Sequence, residues 1–169
     1  DKDYISEVKY VDSLIKANGK NTKTLLDMGC GTGKHAELFC DMGYEVHGID
    51  LSKGMLKIAE NRRKNKGDSL SFSQSNIQNL SLNKKFDVVI SLFHVMSYQN
   101  SNEELIQAFE VAKHHLKQGG IFIFDFWYGP AVLTDLPTTR IKRLENKNIK
   151  VTRIAEPVIY AKKNIVDVN

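Results

Sequence analysis

The amino-acid sequence predicts an α/β fold, a doubly wound parallel sheet with helices on both faces. Two observations support this prediction. Apolar runs typical of buried strands alternate with amphipathic segments of helical period up to about residue 127. The first apolar run, 24–28, also leads directly into a glycine-rich turn and a helix, as at the start of a βαβ unit. Right-handed crossovers would then bring the carboxyl ends of the strands to one edge of the sheet, where ligands bind.

Local signals mark each element in turn. The first helix shows apolar residues at three- and four-residue intervals, and the fourth begins at Ser101-Asn102-Glu103-Glu104 and stops at Lys117–Gly120. The strands are short apolar runs, of which Phe86–Leu92 should be fully buried. The predicted helices are 4–16, 33–42, 54–65 and 103–116, and the predicted strands are 24–28, 44–50, 70–74, 86–92 and 121–126. The helical side chains expected to face the core are Ile5, Val8, Val11, Leu14 and Ile15 on the first helix, and Met55, Leu56, Ile58 and Ala59 on the third.

The pattern changes after Pro130. Short β-rich segments separated by polar turns at 146–148 and 162–164 predict an antiparallel meander. We therefore divide the chain into a ligand-binding core, residues 1–130, and a β-rich cap or substrate-binding insertion, residues 131–169. The chain stops inside a strand-like run, so we expect this cap to be truncated.

Charge and cysteine content narrow the class of function. The net charge of +4 comes from scattered basic residues. The densest group, 62–66, falls in the last turn of a predicted helix, where cations complement the helix dipole, so a nucleic-acid partner is disfavoured. The two cysteines, Cys30 and Cys40, form no C-x-x-C pair, which indicates a reducing, cytoplasmic location. The apolar runs are too short to span a membrane, and the histidines lack the partners of a metal site.

The glycine-rich turn at 29–33 predicts a nucleotide-like ligand. Gly29 and Gly31 permit backbone conformations closed to other residues and leave room for a ligand against the main chain. The third glycine, Gly33, comes one residue earlier than in a dinucleotide fingerprint. Asp27 would repel a pyrophosphate but suits a ligand with an ammonium group. S-adenosylmethionine has such a group and no phosphate, so it is favoured over a nicotinamide cofactor.

A second acidic residue ends the second predicted strand. Asp50 lies about 20 residues beyond the first glycine, where a carboxylate grips the hydroxyls of a ribose. The alternative is that Asp50 belongs to the N-cap region of the next helix. Both interpretations hold together if Ser52 is the cap and Asp50 faces the ligand.

These motifs together resemble class I S-adenosylmethionine-dependent methyltransferases. The segments 25–33, 48–56, 86–89 and 116–120 carry the resemblance, which covers roughly residues 1–127. Lys2-Asp3-Tyr4 and 124–128 are similar to the small-molecule branch that N-methylates nucleotide-linked amino sugars. The resemblance implies a Rossmann-like sheet and S-adenosylmethionine as the cofactor.

The resemblance also implies roles for individual residues in holding the cofactor. Asn76 stands where the family commonly has an acidic residue, so weaker selection of adenine is expected. Core packing of Leu51 and Met55, and helix-start packing of Tyr4, are the structural alternatives. Cys30 is expected to contact the cofactor from the same turn. The other expected contacts are Asp27, Gly29 and Gly31 to the methionine portion, Asp50 to the ribose, Leu51, Met55, Asn76 and Ile77 to the adenine, the Phe93 carbonyl to the amino group and Tyr4 to the carboxylate.

Candidate catalytic residues follow the last two predicted strands of the central sheet, the fourth and the fifth. His94 lies beyond the fourth predicted strand and Asp125 at the end of the fifth. An imidazole is suited to accept a proton near neutral pH, and a carboxylate could orient an acceptor ammonium. Trp127 and Tyr128 could stack on a sugar or a base. The structural alternatives are a strand-end histidine, an Asp125 that caps the short helix near Gly129, and aromatic packing in the core or cap.

The motifs thus predict in-line methyl transfer to a small-molecule acceptor, and the resemblance implies that this acceptor is an amine or hydroxyl of a nucleotide-linked sugar. Two other classes stay open. A methyltransferase of RNA or other nucleic acid would share the cofactor site, although 91–94 lacks the proline-containing motif that clamps a flipped base. A non-catalytic binder of the cofactor would also carry these motifs. A homodimer is left open.

Overall fold

A computed structural model describes residues 2–64 and 66–169. The first of its two compact units ends at Phe126 and is built around a parallel sheet of five strands. The helices of this unit are α1 (Tyr4–Asn18), α2 (Lys34–Asp41), α3 (Lys53–Arg63) and α4 (Asn102–His115), and the strands are β1 (Thr24–Met28), β2 (Glu45–Asp50), β3 (Leu70–Gln74), β4 (Phe86–Ser91) and β5 (Leu116–Phe124). The strand order is β3-β2-β1-β4-β5, with every pairing parallel. The order reverses between β1 and β4, and the carboxyl ends of these central strands are where open α/β sheets bind their ligands.

Side chains of β1 alternate between two apolar cores. Leu25 packs in the core under α1 and α2, together with Ile15 and Phe39. Leu26 packs in the core under α4, together with Ala108. Both faces of the sheet are therefore covered by helices, which confirms the predicted doubly wound architecture.

Capping side chains begin three of the helices where the sequence signals lie. Asp3 accepts a hydrogen bond from the backbone N–H of Ser6, and Ser52 accepts one from that of Met55. Ser101 and the third helical residue, Glu104, satisfy each other's backbone N–H groups in a capping box. The predicted start of α4 is thus confirmed to within one residue.

Some predicted core positions are wrong. Ile5, Met55 and Ile58 are 56%, 45% and 48% exposed, respectively. The buried residues of α3 are Leu56 and Ala59, so this helix touches the rest of the unit along a narrower arc than its apolar residues suggest. Helical period gives the width of an apolar stripe but not the depth to which neighbouring elements cover it.

The start of β5 also differs from the prediction. The strand begins at Leu116 instead of Ile121, and α4 ends one residue before it. The pairing shifts from Phe86 with Leu116 to Val88 with Ile121, so the glycines of this segment lie in an irregular stretch of strand and not in a helix stop. A side chain on Gly120 would come within 3.0 Å of the Asp87 carbonyl, which explains the glycine.

The second compact unit comprises Trp127–Asn169. Its elements are α5 (Gly129–Thr134), β6 (Arg140–Glu145), β7 (Lys150–Ala155), β8 (Pro157–Tyr160) and β9 (Ile165–Val168). The strands are antiparallel, as predicted, but β6 pairs with β7 and β8 with β9 in two separate sheets instead of one meander. The Asn146 side chain accepts from the N–H groups of Asn148 and Ile149, which builds the first predicted turn.

Candidate functional site

The glycine-rich turn lies between the carboxyl ends of β1 and β2. The backbone N–H groups of Gly29 and Cys30 both donate to the Ile49 carbonyl at 2.8 Å. Gly29 has a φ of +85°, and a Cβ there would lie 2.7 Å from the side chain of Val95. Gly31 has a φ of +56°, and nothing lies within 4 Å of where its Cβ would be. The open space for a ligand is therefore at Gly31, whereas Gly29 is required by the packing of Val95.

Asp50 is anchored on this turn by two backbone donors. Its Oδ2 accepts from the N–H of Gly31, and its Oδ1 accepts from the N–H of Ser52, each at 2.8 Å. Ser52 is at the same time the N-cap of α3, so the two roles suggested for this segment are compatible. Each carboxylate oxygen keeps a lone pair for a further donor, such as a ribose hydroxyl.

Asp27 is a buried carboxyl group with an unpaired oxygen. The residue is 2% exposed, and its Oδ2 has no hydrogen-bond partner among the described residues. Burial, and after it the nearby charge of Asp50, raise the pKa of Asp27 to about 7. Because a buried polar atom is rarely left without a partner, this oxygen marks a position where a donor from a ligand fits.

The residues expected at the adenine lie in different environments. Leu51 and Met55 are 67% and 45% exposed, so the alternative that they pack in the core is wrong. The Asn76 Oδ1 already accepts from the backbone N–H of Gln78 at 2.9 Å, which leaves one lone pair on that oxygen. Ile77 is buried in the core under α4, which fixes the backbone next to Asn76.

Cys30 contributes its backbone to the turn, while its thiol is buried. The sulfur lies 2.9 Å from the position that a Cβ on Gly48 would take. Burial and the neighbouring charges of Asp27 and Asp50 raise the pKa of the thiol. The thiol is therefore protonated and inert at neutral pH.

A strained turn follows β4. Phe93 and His94 have φ values of +66° and +64°, a conformation that costs a non-glycine residue about 1–2 kcal/mol. Asp125 holds both residues there, because its Oδ2 accepts from the N–H of Phe93 at 3.1 Å and its Oδ1 from the N–H of His94 at 2.7 Å. The Nδ1 of His94 lies 3.9 Å from the same carboxylate. Asp125 therefore braces this turn, and α5 has a different residue, Tyr128, at its N-cap.

Tyr4 lies in a cluster that the sequence did not reveal. Its ring is 5.0 Å from the ring of His35, whose Nε2 donates to the Glu7 carboxylate at 2.6 Å. Lys2 pairs with the same carboxylate at 2.9 Å, and its Nζ lies 3.8 Å from the centre of the Phe93 ring. Burial lowers the pKa of His35, so its imidazole is neutral at pH 7. The cluster connects the start of α1 to the strained turn.

Trp127 and Tyr128 belong to the second compact unit. The Tyr128 carbonyl accepts from the N–H groups of Ala131 and Val132 at the start of α5. Their contact with an acceptor stays a prediction. Over the described ranges, no helix is long and apolar enough to cross a membrane.

Comparison with known proteins shows which proteins this chain is similar to. Residues 25–120 match the family described as methyltransferase domain. The chain is 32% identical over 134 residues to a dTDP-3-amino-3,4,6-trideoxy-alpha-D-glucopyranose N,N-dimethyltransferase of Streptomyces venezuelae, a match that covers 79% of this chain and 55% of that protein. The chain thus spans about half the length of the curated relatives it matches.

Solved structures show the same fold. The crystal structure of Streptomyces venezuelae DesVI superposes with a TM-score of 0.80 at 27% identity, over 94% of this chain and 65% of that one. An S-adenosylmethionine-dependent methyltransferase from Clostridium acetobutylicum superposes with a TM-score of 0.81 at 27% identity, over 94% of this chain and 63% of that one.

Proposed function

This chain belongs to the methyltransferase domain family, and on that premise we propose that it methylates the amino nitrogen of a nucleotide-linked sugar with S-adenosylmethionine as the methyl donor. The similarity to a dTDP-amino-sugar N,N-dimethyltransferase supports an amine as the acceptor instead of a hydroxyl. The observation that carries the cofactor assignment is the buried oxygen of Asp27, which has no partner in the described part of the chain, at the end of the strand that leads into the open turn at Gly31.

The described residues fit this cofactor. S-adenosylmethionine, when bound, supplies a methyl group activated by a sulfonium cation. The Asp27 carboxylate would accept from its ammonium group, and the remaining lone pairs of Asp50 would accept from the ribose hydroxyls. A pyrophosphate would meet the two carboxylates of Asp27 and Asp50, so the same turn disfavours a dinucleotide.

The other cofactor contacts are assigned by position around these two carboxylates. Leu51 and Met55 offer exposed apolar surface next to Asp50, which suits the faces of an adenine ring. Asn76 and Ile77 would meet the edge of that ring. The Phe93 carbonyl and Tyr4 would complete the contacts to the methionine portion, since both lie in the cluster at the start of α1.

On the acceptor side, we assign proton transfer to His94 and positioning to Asp125. An acceptor amine must be neutral to attack and must lose a proton after transfer, and an imidazole exchanges protons readily near pH 7. Asp125 bonds to the backbone of His94 at 2.7 Å, so its carboxylate determines where that imidazole stands. Trp127 and Tyr128 stay proposed contacts to the sugar or base.

A turnover assay tests the proposed activity. The full chain is incubated with S-adenosylmethionine and, separately, with nucleotide-linked amino sugars, their hydroxyl analogues and RNA, and release of S-adenosylhomocysteine is measured. Turnover with the amino sugars alone is the expected result. Turnover with RNA alone would make the chain a nucleic-acid methyltransferase, and cofactor binding without turnover on any acceptor would make it a non-catalytic binder.

Calorimetry tests the cofactor site by itself. Asp50→Ala should weaken S-adenosylmethionine binding by at least ~1–3 kcal/mol, because the ribose hydroxyls lose their acceptor. Tight binding of NAD without any response to S-adenosylmethionine would refute the assignment.

The cellular location is proposed on separate grounds. Both cysteines, Cys30 and Cys40, are free thiols, which supports a reducing, cytoplasmic compartment.

A further inference from the structure

Arg62, near the end of α3, reaches back to the glycine-rich turn. Its Nε donates to the Thr32 carbonyl at 2.9 Å, and its Nη1 donates to the Glu37 carboxylate, also at 2.9 Å. Thr32 lies between Gly31 and Gly33, which both have positive φ. The sequence predicts a solvated, dipole-complementing helix end here, but the Arg62 side chain is only 28% exposed. The guanidinium is therefore part of the support of the turn.

Glu37 orients this guanidinium. Its Oε2 accepts from Arg62 and also from Lys34 at 2.8 Å. Although burial opposes it, hydrogen bonding and charge from Lys34 and then Arg62 lower the pKa of Glu37, so the carboxylate is charged at neutral pH. The rigid, planar fork of an arginine lets one group hold a carbonyl and a carboxylate together, which a lysine cannot match.

The turn needs such an external support. Gly31 and Gly33 have no side chains that would restrict their backbone, so several conformations compete with the one that binds Asp50. A charge-assisted bond to the Thr32 carbonyl selects the orientation of the Thr32–Gly33 peptide, and so restricts the conformations open to the turn that carries the Gly31 N–H. The N–H of Gly31 then stays bonded to Asp50, and the space beside the Gly31 Cα stays open.

We propose that Arg62 is a positioning residue for the cofactor site, acting through Thr32 on the glycine-rich turn. The proposal rests on the proposed function only in taking S-adenosylmethionine as the ligand of that turn. The neighbouring Arg63 has no such role: it pairs with Glu60, one turn earlier on the same helix, at 3.6 Å, and its side chain is 43% exposed.

The test compares Arg62→Met with the matched control Arg63→Met. Both variants lose one cation from the same end of α3, but only the first loses the bond to Thr32. We expect Arg62→Met to raise the Kd and KM for S-adenosylmethionine about tenfold, with kcat and the acceptor KM within about twofold of wild type at saturating cofactor. Arg63→Met should match wild type, and Arg62→Lys should recover part of the affinity, since an ammonium keeps the charge but not the fork.

A second readout uses the cofactor-free chain. Hydrogen exchange at the Gly31 amide should be faster in Arg62→Met and Glu37→Gln than in wild type, because the bond to Asp50 opens more often. The exchange measurement tests Arg62 even if wild type binds no S-adenosylmethionine. Such an absence of binding would refute the proposed function but not the role of Arg62. Unchanged Gly31 exchange and unchanged cofactor affinity would overturn the role of Arg62. A lower kcat, a higher acceptor KM and a lower melting temperature in Arg62→Met, all changed to a similar extent, would also overturn it, because they would show a structural role only.

Discussion

Asp27 places an ionisable carboxyl group in the interior of the cofactor-free fold, where burial disfavours its charged form. The residue is 2% exposed, one of its oxygens has no partner among the described residues, and burial raises its pKa to about 7. We predict that Asp27→Asn removes a pH dependence from the stability of the cofactor-free chain and, at the same time, most of its affinity for S-adenosylmethionine.

The sign and size of this effect follow from linkage. The pKa of Asp27 in the folded chain, about 7, lies above the ordinary value of 3.8. Between these values the folded chain keeps a proton that the unfolded chain has released, so the free energy of unfolding falls as pH rises. The contribution is complete below about pH 4 and is lost by about pH 7. About three pH units at 1.36 kcal/mol each give a loss on the order of 4 kcal/mol.

Urea unfolding of the cofactor-free chain between pH 4.5 and 8 measures this loss. The difference in unfolding free energy between wild type and Asp27→Asn should shift by about 3–4 kcal/mol in favour of the variant across that range. Asp68→Asn, at an exposed position in the short 3-10 helix Gly67–Ser69, is the control and should run parallel to wild type. Parallel curves for wild type and Asp27→Asn would refute the reasoning. Affinity for S-adenosylmethionine should also rise with pH up to about 7 in wild type only, since the ammonium group requires the charged carboxylate.

Three further predictions concern the two turns and Asp87, which lies near the amino end of the central strand β4. Gly31→Val should abolish S-adenosylmethionine binding in calorimetry, because a β-branched residue is strained at a φ of +56° and fills the open space; unchanged affinity in a folded variant would place the ligand elsewhere. In steady-state kinetics, Asp125→Asn should raise the acceptor KM more than it lowers kcat, and His94→Ala should fall between that pattern and the about 10²–10⁴-fold loss of a true base. Wild-type kcat and KM in both variants would exclude both residues from the site. Asp87→Asn should destabilise the fold at pH 7 by about 1–3 kcal/mol. Burial opposes it, but the bonds that Asp87 accepts, first from the Thr24 backbone, hold its pKa well below the ordinary range, so the stabilisation is present above about pH 4 and lost as pH falls. Equal melting temperatures of variant and wild type at pH 7 would contradict this.

Features carried by local sequence were predictable. The bounds of β1 and β3 match the predicted strands, because a short apolar run between turns leaves little freedom in its ends. The Gly31 N–H bonds to the Asp50 carboxylate, since a strand, a glycine turn and a helix in that order bring the ends of two parallel strands together.

Features that depend on partners distant in the chain were not predictable. Asp125 braces the strained residues Phe93 and His94 from more than thirty positions away, and Arg62 reaches Thr32 from thirty positions away. Periodicity and spacing describe what a segment does by itself, so they did not reveal that Asp125 bonds to the Phe93–His94 turn or that Arg62 bonds to the Thr32 carbonyl.

The sequence by itself determined the order of strands and helices, the doubly wound class and the acidic residues that flank the glycine-rich turn, because backbone preferences and apolar periodicity act over a few neighbouring residues. Only the tertiary structure decided that Val95 fills the space over Gly29 while Gly31 stays open, and which groups hold the two turns. Those choices depend on side-chain shape and on hydrogen-bond geometry between strands and helices, which exist only once the chain has folded.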